Sequence, residues 1–319
     1  MKEKVLITRD IPDVAEKLLN KNRFEVIVHH SQQPPSFDEL VKMGKDVTAI
    51  IPMLSDKIDK KVLSKFPNLK IIANYAVGYN NIDLEEAKKR QIIVTNTPNI
   101  LTDATADLAM GLAIAASRNF GIGERMVREG KFTGWSPKML LGPQLKGSVF
   151  GIIGAGRIGQ ATAERASAFG AKIIYFSKTK KPEFEAKLSA KKVSLKKLLS
   201  SSDFISIHVP LTEKTYHMLN SENMQLLKKG VVIINTARGE IVDEKVLIKL
   251  LKNGTVFSAG LDVYEKEPKV KKAFLKLENV VLLPHLGTAT FETRSAMAKL
   301  AAENVINVLK GKAPLTPVV

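Results

Sequence analysis

The sequence predicts an α/β protein of two domains, each a parallel sheet covered by helices. Three observations lead there. With 319 residues the chain is about twice the ~150 residues of a usual domain. Short apolar runs alternate with segments of helical apolar spacing, as in parallel sheets. The alternation comes as two series, separated by an irregular, Gly- and Pro-containing stretch from Phe120 to Gly147.

The first series has strand-like runs at Val5–Ile7, Phe24–Val28, Ala49–Ile51, Lys70–Ala73 and Ile92–Val94. Helical spacing lies between them, as at Val14, Leu18 and Leu19, or Leu84, Ala87 and Lys88. A boundary falls near Thr95–Pro98. Beyond it Thr102 or Asp103 can cap a helix whose small apolar face is Ala106, Ala109, Met110, Ala113 and Ala116. The irregular stretch that follows holds the single Trp, Trp135, and a loop of that length is usually functional or reaches a partner. The second series runs through Val149–Ile153, Ile173–Phe176, Phe204–His208, Val231–Asn235, Ser258–Leu261 and Val280–Leu283. A terminal helix, Phe291–Leu309, places Met297, Leu300, Val305, Ile306 and Leu309 at apolar positions. No internal repeat suggests a solenoid.

Composition narrows the function classes. A 45% hydrophobic share with ordinary Gly and Pro content excludes a disordered or collagen-like chain. The absence of cysteine removes disulfides, thiolate metal sites and Cys nucleophiles, and fits a reducing compartment. No signal-peptide pattern opens the sequence, and the longest apolar stretch, Leu108–Ala116, is far short of the ~20 residues of a membrane span. A cytoplasmic protein without membrane partners is expected. The formal charge of +17 raises polyanions or small anions as partners. Only ten of the 49 basic residues are Arg, however, and no run of five basic residues occurs. Dispersed Lys reads as a solvated coat, so small anions are favoured over nucleic acid.

Gly154-x-Gly156-x-x-Gly159 follows an apolar strand and opens an Ala-rich helix, Gln160–Phe169, before the strand Ala171–Phe176. Alone such a pattern is weak; in this context it reads as a dinucleotide phosphate loop. The first Gly permits the turn, the second admits the pyrophosphate, and the third lets the helix pack on the strand with its N–H groups toward the anion. Ala155, Arg157 and Ile158 fill the loop. The acid expected after the next strand is missing: Ser177, Lys178 and Thr179 stand there, followed by Lys180 and Lys181. Hydroxyls and ammonium groups suit a ribose 2′-phosphate, which favours NADP(H) over NAD(H).

Three islands follow, each beside an apolar strand: Val231–Gly239, Gly260–Pro268 and Leu282–Gly287. Ligands of such sheets sit beyond the carboxyl ends of strands, so Arg238, Glu267 and His285 can share one crevice. Reduction of a 2-oxoacid, which the family resemblance carried by these motifs implies, needs a hydride donor, a cation for the carboxylate and a proton for the new hydroxyl. Arg238 offers the planar fork. His285 offers the proton, and an adjacent Glu orients its ring and favours the imidazolium. Glu265 and Glu267 both compete for that last role.

These islands, the Gly loop, His208–Thr212 and Asn74–Asp83 together resemble the D-2-hydroxyacid dehydrogenase family, and within it the glyoxylate/hydroxypyruvate reductases. The resemblance spans about Val5 to Leu309. It implies two Rossmann-like or flavodoxin-like domains, with a cofactor domain (99–287) inserted in a discontinuous substrate domain (1–98 and 288–319). It implies NADPH-dependent reduction of glyoxylate and hydroxypyruvate, and it places the acid directly before Pro268, which selects Glu267. Cofactor contacts are implied at Thr105, His208, Pro210, Thr236, Ala237, Asp262 and Gly287, besides Arg238 and His285. Substrate contacts are implied at Leu54, Val77 and Gly78, although plain core is the bland reading of the first two. It also implies a homodimer in which Trp135 resembles an aromatic that reaches the neighbouring subunit. His208 and His217 otherwise read as structural, His29 and His30 lack metal-ligand spacing, and no metal is expected. Phosphoglycerate, formate and phosphite dehydrogenases share the core, as do dinucleotide-sensing corepressors. The Asn74–Asp83 stretch favours the glyoxylate reductases over formate and phosphite dehydrogenases. The first and last of these rivals carry extra domains or tails beyond the core.

Overall fold

The computed structural model describes residues 2–319 and divides into two compact units. One is Met1–Leu101 with Thr288–Val319; the other is Thr102–Gly287. The first junction thus falls at the start of the Thr102–Ser117 helix rather than at the Pro98 turn.

The first unit holds five parallel strands, β1 (Lys4–Ile7), β2 (Glu25–Val28), β3 (Ala49–Ile51), β4 (Ile71–Ala73) and β5 (Ile93–Thr95), in the order β2-β1-β3-β4-β5. This is the flavodoxin-like order. Because side chains alternate across a strand, each short apolar run feeds two cores. Leu6, Ile50, Ile72 and Val94 pack with Leu40, Leu63 and Phe66 on one face. Val5, Ile7, Ala49, Ile51 and Ile71 pack on the other against Leu19, Ala298, Ala302 and Val305. The terminal helix Phe291–Leu309 therefore completes the core of a sheet made by the first hundred residues, which is why both chain ends form one unit.

The second unit holds seven parallel strands: β6 (Val149–Ile153), β7 (Lys172–Phe176), β8 (Lys191–Lys192), β9 (Phe204–Ile207), β10 (Val231–Asn235), β11 (Val256–Leu261) and β12 (Val280–Leu282). Their order, β12-β11-β10-β9-β6-β7-β8, reverses direction between β6 and β9, the switch point at which a dinucleotide binds in such sheets. The small face of the Thr102–Ser117 helix is buried as its sequence requires, from Ala106 to Ala116. It approaches β11 so closely that a Cβ on Gly260 would lie 2.8 Å from the Cβ of Leu112.

Two elements depart from the sequence reading. β8 consists of two exposed lysines and carries no apolar signal; it is added to the sheet edge by its pairing with Ile174 and Tyr175. The stretch read as irregular from Phe120 begins with a helix, Phe120–Arg128, that buries no residue. Phe120 and Val127 are exposed while Ile122 and Met126 are half-buried, and Gly121 and Gly123, poor helix formers in its first turns, hide the helix in the sequence. No helix among the described residues is long and apolar enough to cross a membrane.

Candidate active site

The glycine loop leaves β6 at the switch point. Gly154 has φ +100°, a conformation that glycine adopts without strain, and a Cβ there would meet the backbone of His208 and Val209 at 2.8 Å. A Cβ on Gly159 would lie 2.1 Å from the Gly154 carbonyl oxygen, so the helix can dock on the loop only with glycine there. Gly156, at the cap of the Arg157–Ala168 helix, faces open space, with nothing within 4 Å of a Cβ. Two glycines close the loop on itself while the third leaves room outside it, which fits a pyrophosphate resting on the helix N-terminus. The Thr236 hydroxyl, at the end of β10, is buried without a hydrogen-bond partner among the described residues, as suits a group kept for a ligand.

Ser177 follows the last residue of β7, whose carbonyl accepts the Gly154 N–H at 2.8 Å. Lys178 and Thr179 are exposed. Lys180 lies 3.4 Å from Glu185, which also accepts from the Tyr175 hydroxyl at 2.7 Å. Lys192 reaches back to the Lys178 carbonyl at 3.4 Å. His208 follows β9 beside the loop, its Nε2 2.8 Å from the Ser206 hydroxyl. Burial pushes its pKa down to about 3, so the ring is neutral near pH 7 and serves packing and hydrogen bonding rather than charge.

Arg238, Glu267 and His285 meet beyond the carboxyl ends of β10, β11 and β12. His285 Nδ1 lies 2.8 Å from Glu267 Oε2, while Glu267 Oε1 accepts the Tyr264 N–H at 3.1 Å. A carboxylate facing Nδ1 assigns the proton to that nitrogen and leaves Nε2 as the outward one. Burial raises the Glu267 carboxyl, but the hydrogen bond and charge of His285, the Tyr264 N–H and the Arg238 charge together hold it below its ordinary value. Burial pulls Arg238 down while Glu267 and Glu240 oppose that; a guanidinium stays protonated at any working pH. Glu265 points elsewhere. It accepts from the Glu244 N–H at 3.0 Å and pairs with Lys271 and His217, so the His partner is Glu267.

The supports of these three were less legible. Asn235, fully buried at the end of β10, accepts from the Ala237 N–H at 3.0 Å and donates to the Arg238 carbonyl at 2.9 Å, shaping the turn that presents the guanidinium. Asp262 accepts the Leu286 N–H at 2.6 Å and the Gly287 N–H at 2.8 Å. It thereby clamps the loop in which His285 takes φ +58°, a strained value for a non-glycine residue. Burial pushes the Asp262 carboxyl above its ordinary value, partly offset by those amides and by His285. Thr105 donates to the Gly287 carbonyl at 3.1 Å, which ties the loop to the first helix of this unit. Pro210 and Ala237 lie in the turns after β9 and β10. Thr105, Asp262 and Gly287 were implied as cofactor contacts by the family resemblance, whereas Asn235 was missed; its Asx-type position just before the Thr-Ala-Arg turn is the signal that could have found it.

In the first unit, Leu54 lies in the turn after β3, and Val77 and Gly78 lie in the turn after β4; all three are half-exposed rather than core. Asn81 Nδ2 joins the two turns, reaching the Met53 carbonyl at 3.1 Å and the Asp56 carbonyl at 3.2 Å. Among the described residues no group of three His, Asp or Glu side chains is arranged to hold a metal.

Residues 110–287 match the family described as D-isomer specific 2-hydroxyacid dehydrogenase, NAD binding domain. The chain is 49% identical to the glyoxylate reductase of Thermococcus litoralis, over 98% of this chain and 96% of that protein. The chain belongs to the D-2-hydroxyacid dehydrogenase family. Its fold agrees with that of a glyoxylate reductase from Paecilomyes thermophila, at TM-score 0.87 and 35% identity over 99% of this chain and 98% of that one. An NADPH-dependent glyoxylate/hydroxypyruvate reductase from Sinorhizobium meliloti, solved with NADP and malonate, aligns at TM-score 0.89 and 34% identity over 100% and 97%. Family membership makes the protein an oxidoreductase with a nicotinamide dinucleotide cofactor, which the glycine loop fits.

Proposed function

We propose that the protein is a cytoplasmic NADPH-dependent reductase of glyoxylate that also accepts hydroxypyruvate. The observation that carries the reading is the His285–Glu267 pair at 2.8 Å with the Arg238 charge beside it, in a family of 2-hydroxyacid dehydrogenases. The names of its relatives supply the substrate class.

Unit Thr102–Gly287 is assigned to the cofactor, with Gly154 to Gly159 under the pyrophosphate and Thr236, Ala237, His208, Pro210, Thr105 and Gly287 around the remainder. The bound dihydronicotinamide supplies the hydride. Arg238 grips the substrate carboxylate and polarises the adjacent carbonyl. His285, held through Nδ1 by Glu267, delivers the proton of Nε2 to the oxygen that becomes the hydroxyl, and takes it back in the reverse reaction. Leu54 and the amides of Val77 and Gly78 are assigned to the substrate. Asp262, whose carboxylate already holds two loop amides, orients the His285 loop in addition to any contact with the carboxamide.

The preference for the phosphorylated coenzyme rests on Ser177, Lys178 and Thr179, where a carboxylate would repel a 2′-phosphate. Lys180 is engaged by Glu185, so Lys178 is the cation assigned to the phosphate. Self-association is assigned to the exposed apolar side chains of Phe120, Val127, Phe132, Trp135 and Leu141, which cluster in one arm of the sequence. Steady-state oxidation of NADPH and NADH with glyoxylate, hydroxypyruvate and pyruvate tests the reading. Consumption of neither coenzyme with any of the three would favour a dinucleotide-binding role instead.

A further inference from the structure

The turn that carries Val77 and Gly78 is held by its carbonyl groups. The Ala76 carbonyl accepts the Thr97 N–H at 2.9 Å, the Val77 carbonyl accepts Asn96 Nδ2 at 2.9 Å, and the Gly78 carbonyl accepts Asn74 Nδ2 at 2.7 Å. In a planar trans peptide the C=O and N–H point in opposite directions. Each of these bonds therefore aims the following N–H, of Val77, Gly78 and Tyr79, away from the group that holds the carbonyl. Those three N–H groups have no acceptor among the described residues.

Both asparagines are themselves fixed. Asn74 is fully buried, its backbone N–H donates to the Thr95 carbonyl at 2.9 Å, and Asn81 Nδ2 lies 3.2 Å from its side-chain oxygen, which leaves the nitrogen as the end facing Gly78. Asn96 is gripped along its main chain by the C-terminal tail. The Thr316 hydroxyl donates to the Asn96 carbonyl at 2.6 Å and the Asn96 N–H to the Thr316 carbonyl at 3.3 Å. Thr316 is anchored in turn by Asn304 Nδ2 at 2.9 Å.

We propose that Asn96 and Asn74 are positioning residues for substrate: through the Val77 and Gly78 carbonyls they fix the consecutive peptide units that carry the Gly78 and Tyr79 N–H groups, so that the Gly78 amide, beside the Val77 amide set by the Thr97 N–H, faces the carboxylate of the 2-oxoacid. The inference rests on the assignment of those amides to the substrate. Only a side chain that donates can do this. An aspartate of the same shape would set a carboxylate against the carbonyl oxygen and drive the peptide to turn, pointing a carbonyl where the substrate carboxylate should be.

The test is Asn96→Asp, because the main chain at that position is held independently of its side chain. Losing a charge-assisted amide contact predicts a KM for glyoxylate raised by about tenfold or more. The kcat at saturation should fall less, and the Kd for NADPH, titrated without substrate, and the Tm should stay near wild type. Asn96→Ala, which removes the tie without adding charge, should raise KM by a smaller factor and covers the case in which the aspartate variant does not fold. An unchanged KM in a folded variant overturns the proposal. So does a proportional loss of kcat, KM and coenzyme affinity, which a merely structural role would produce. Wild-type protein that reduces none of the 2-oxoacids would instead sink the functional reading itself.

Discussion

Replacing Gly239 with alanine tests whether the loops carrying Arg238 and Glu267 depend on direct backbone contact. A Cβ at Gly239 would stand 1.9 Å from the Tyr264 carbonyl carbon and 2.3 Å from both the Glu265 nitrogen and the Tyr264 oxygen. Ordinary contact begins near 3.4 Å, so one loop must retreat by roughly 1.5 Å, and close-packed backbone has no flexible end to yield. Arg238 precedes Gly239, and the Tyr264 N–H holds Glu267, so this shift separates the guanidinium from the His285–Glu267 pair. A misplacement of about 1 Å costs on the order of 100-fold in rate. Overpacking at a buried site costs about 1–3 kcal/mol or more, and each kcal/mol lowers Tm by about 2–4 °C in a unit of this size. Gly239→Ala should therefore lose about two orders of magnitude in kcat/KM, measured by coenzyme oxidation well below the transition, and several degrees in Tm, measured by thermal denaturation. A variant with wild-type kcat/KM and Tm would refute the packing argument.

The remaining expectations follow the same chemistry. Gly156→Ala, facing open space, should fold with unchanged Tm yet bind coenzyme at least tenfold more weakly by fluorescence titration; tight binding would remove the pyrophosphate from that position. Ser177→Asp should invert the ratio of kcat/KM for NADPH over NADH, and a ratio that stays put would defeat the 2′-phosphate assignment. His285→Ala should lower kcat by about 100-fold or more, with near-normal turnover excluding His285 as proton donor. The folded-state pKa of His208 is about 3 against an ordinary 6.5, so the unfolded chain takes up its proton first as pH falls. The stability from burying the neutral ring is complete above pH 6.5 and declines between 6.5 and about 3; His208→Gln should flatten Tm against pH across that window. Glu267, held below its ordinary value, likewise stabilises above the usual carboxylate range and loses its effect as pH falls through its lowered value. Glu267→Gln should weaken the acid-side dependence of kcat.

Much of the fold was written locally. The alternation Val5-Leu6-Ile7 can only send neighbours to opposite faces, and the two cores of the first sheet divide accordingly. The spacing of Gly154, Gly156 and Gly159 likewise carried its own geometry, since each position needs a missing Cβ, or room beside it, for a separate reason. The two exposed lysines of β8 were illegible because they carry no apolar signal, and the Phe120–Arg128 helix because Gly121 and Gly123 read as loop residues.

At the candidate site the division is sharper. Sequence alone determined which chemical groups are present: a planar cation, an imidazole, two competing carboxylates and a strand end without an acid. It determined too that each lies where a parallel strand ends. The family resemblance selected Glu267 by its place before Pro268, and the tertiary structure shows how that carboxylate rather than Glu265 meets the imidazole. Glu265 and Glu267 stand two residues apart, but one faces Lys271 and Glu244 while the other faces His285, and no pattern of spacing encodes that turn. It also decided that Asp262 clamps the His285 loop and that Asn74 and Asn96 hold the turn after β4. Except for that of Asn74 to Gly78, those bonds join residues distant in the chain, and a hydrogen bond depends on where two groups arrive in space, not on how far apart they were written.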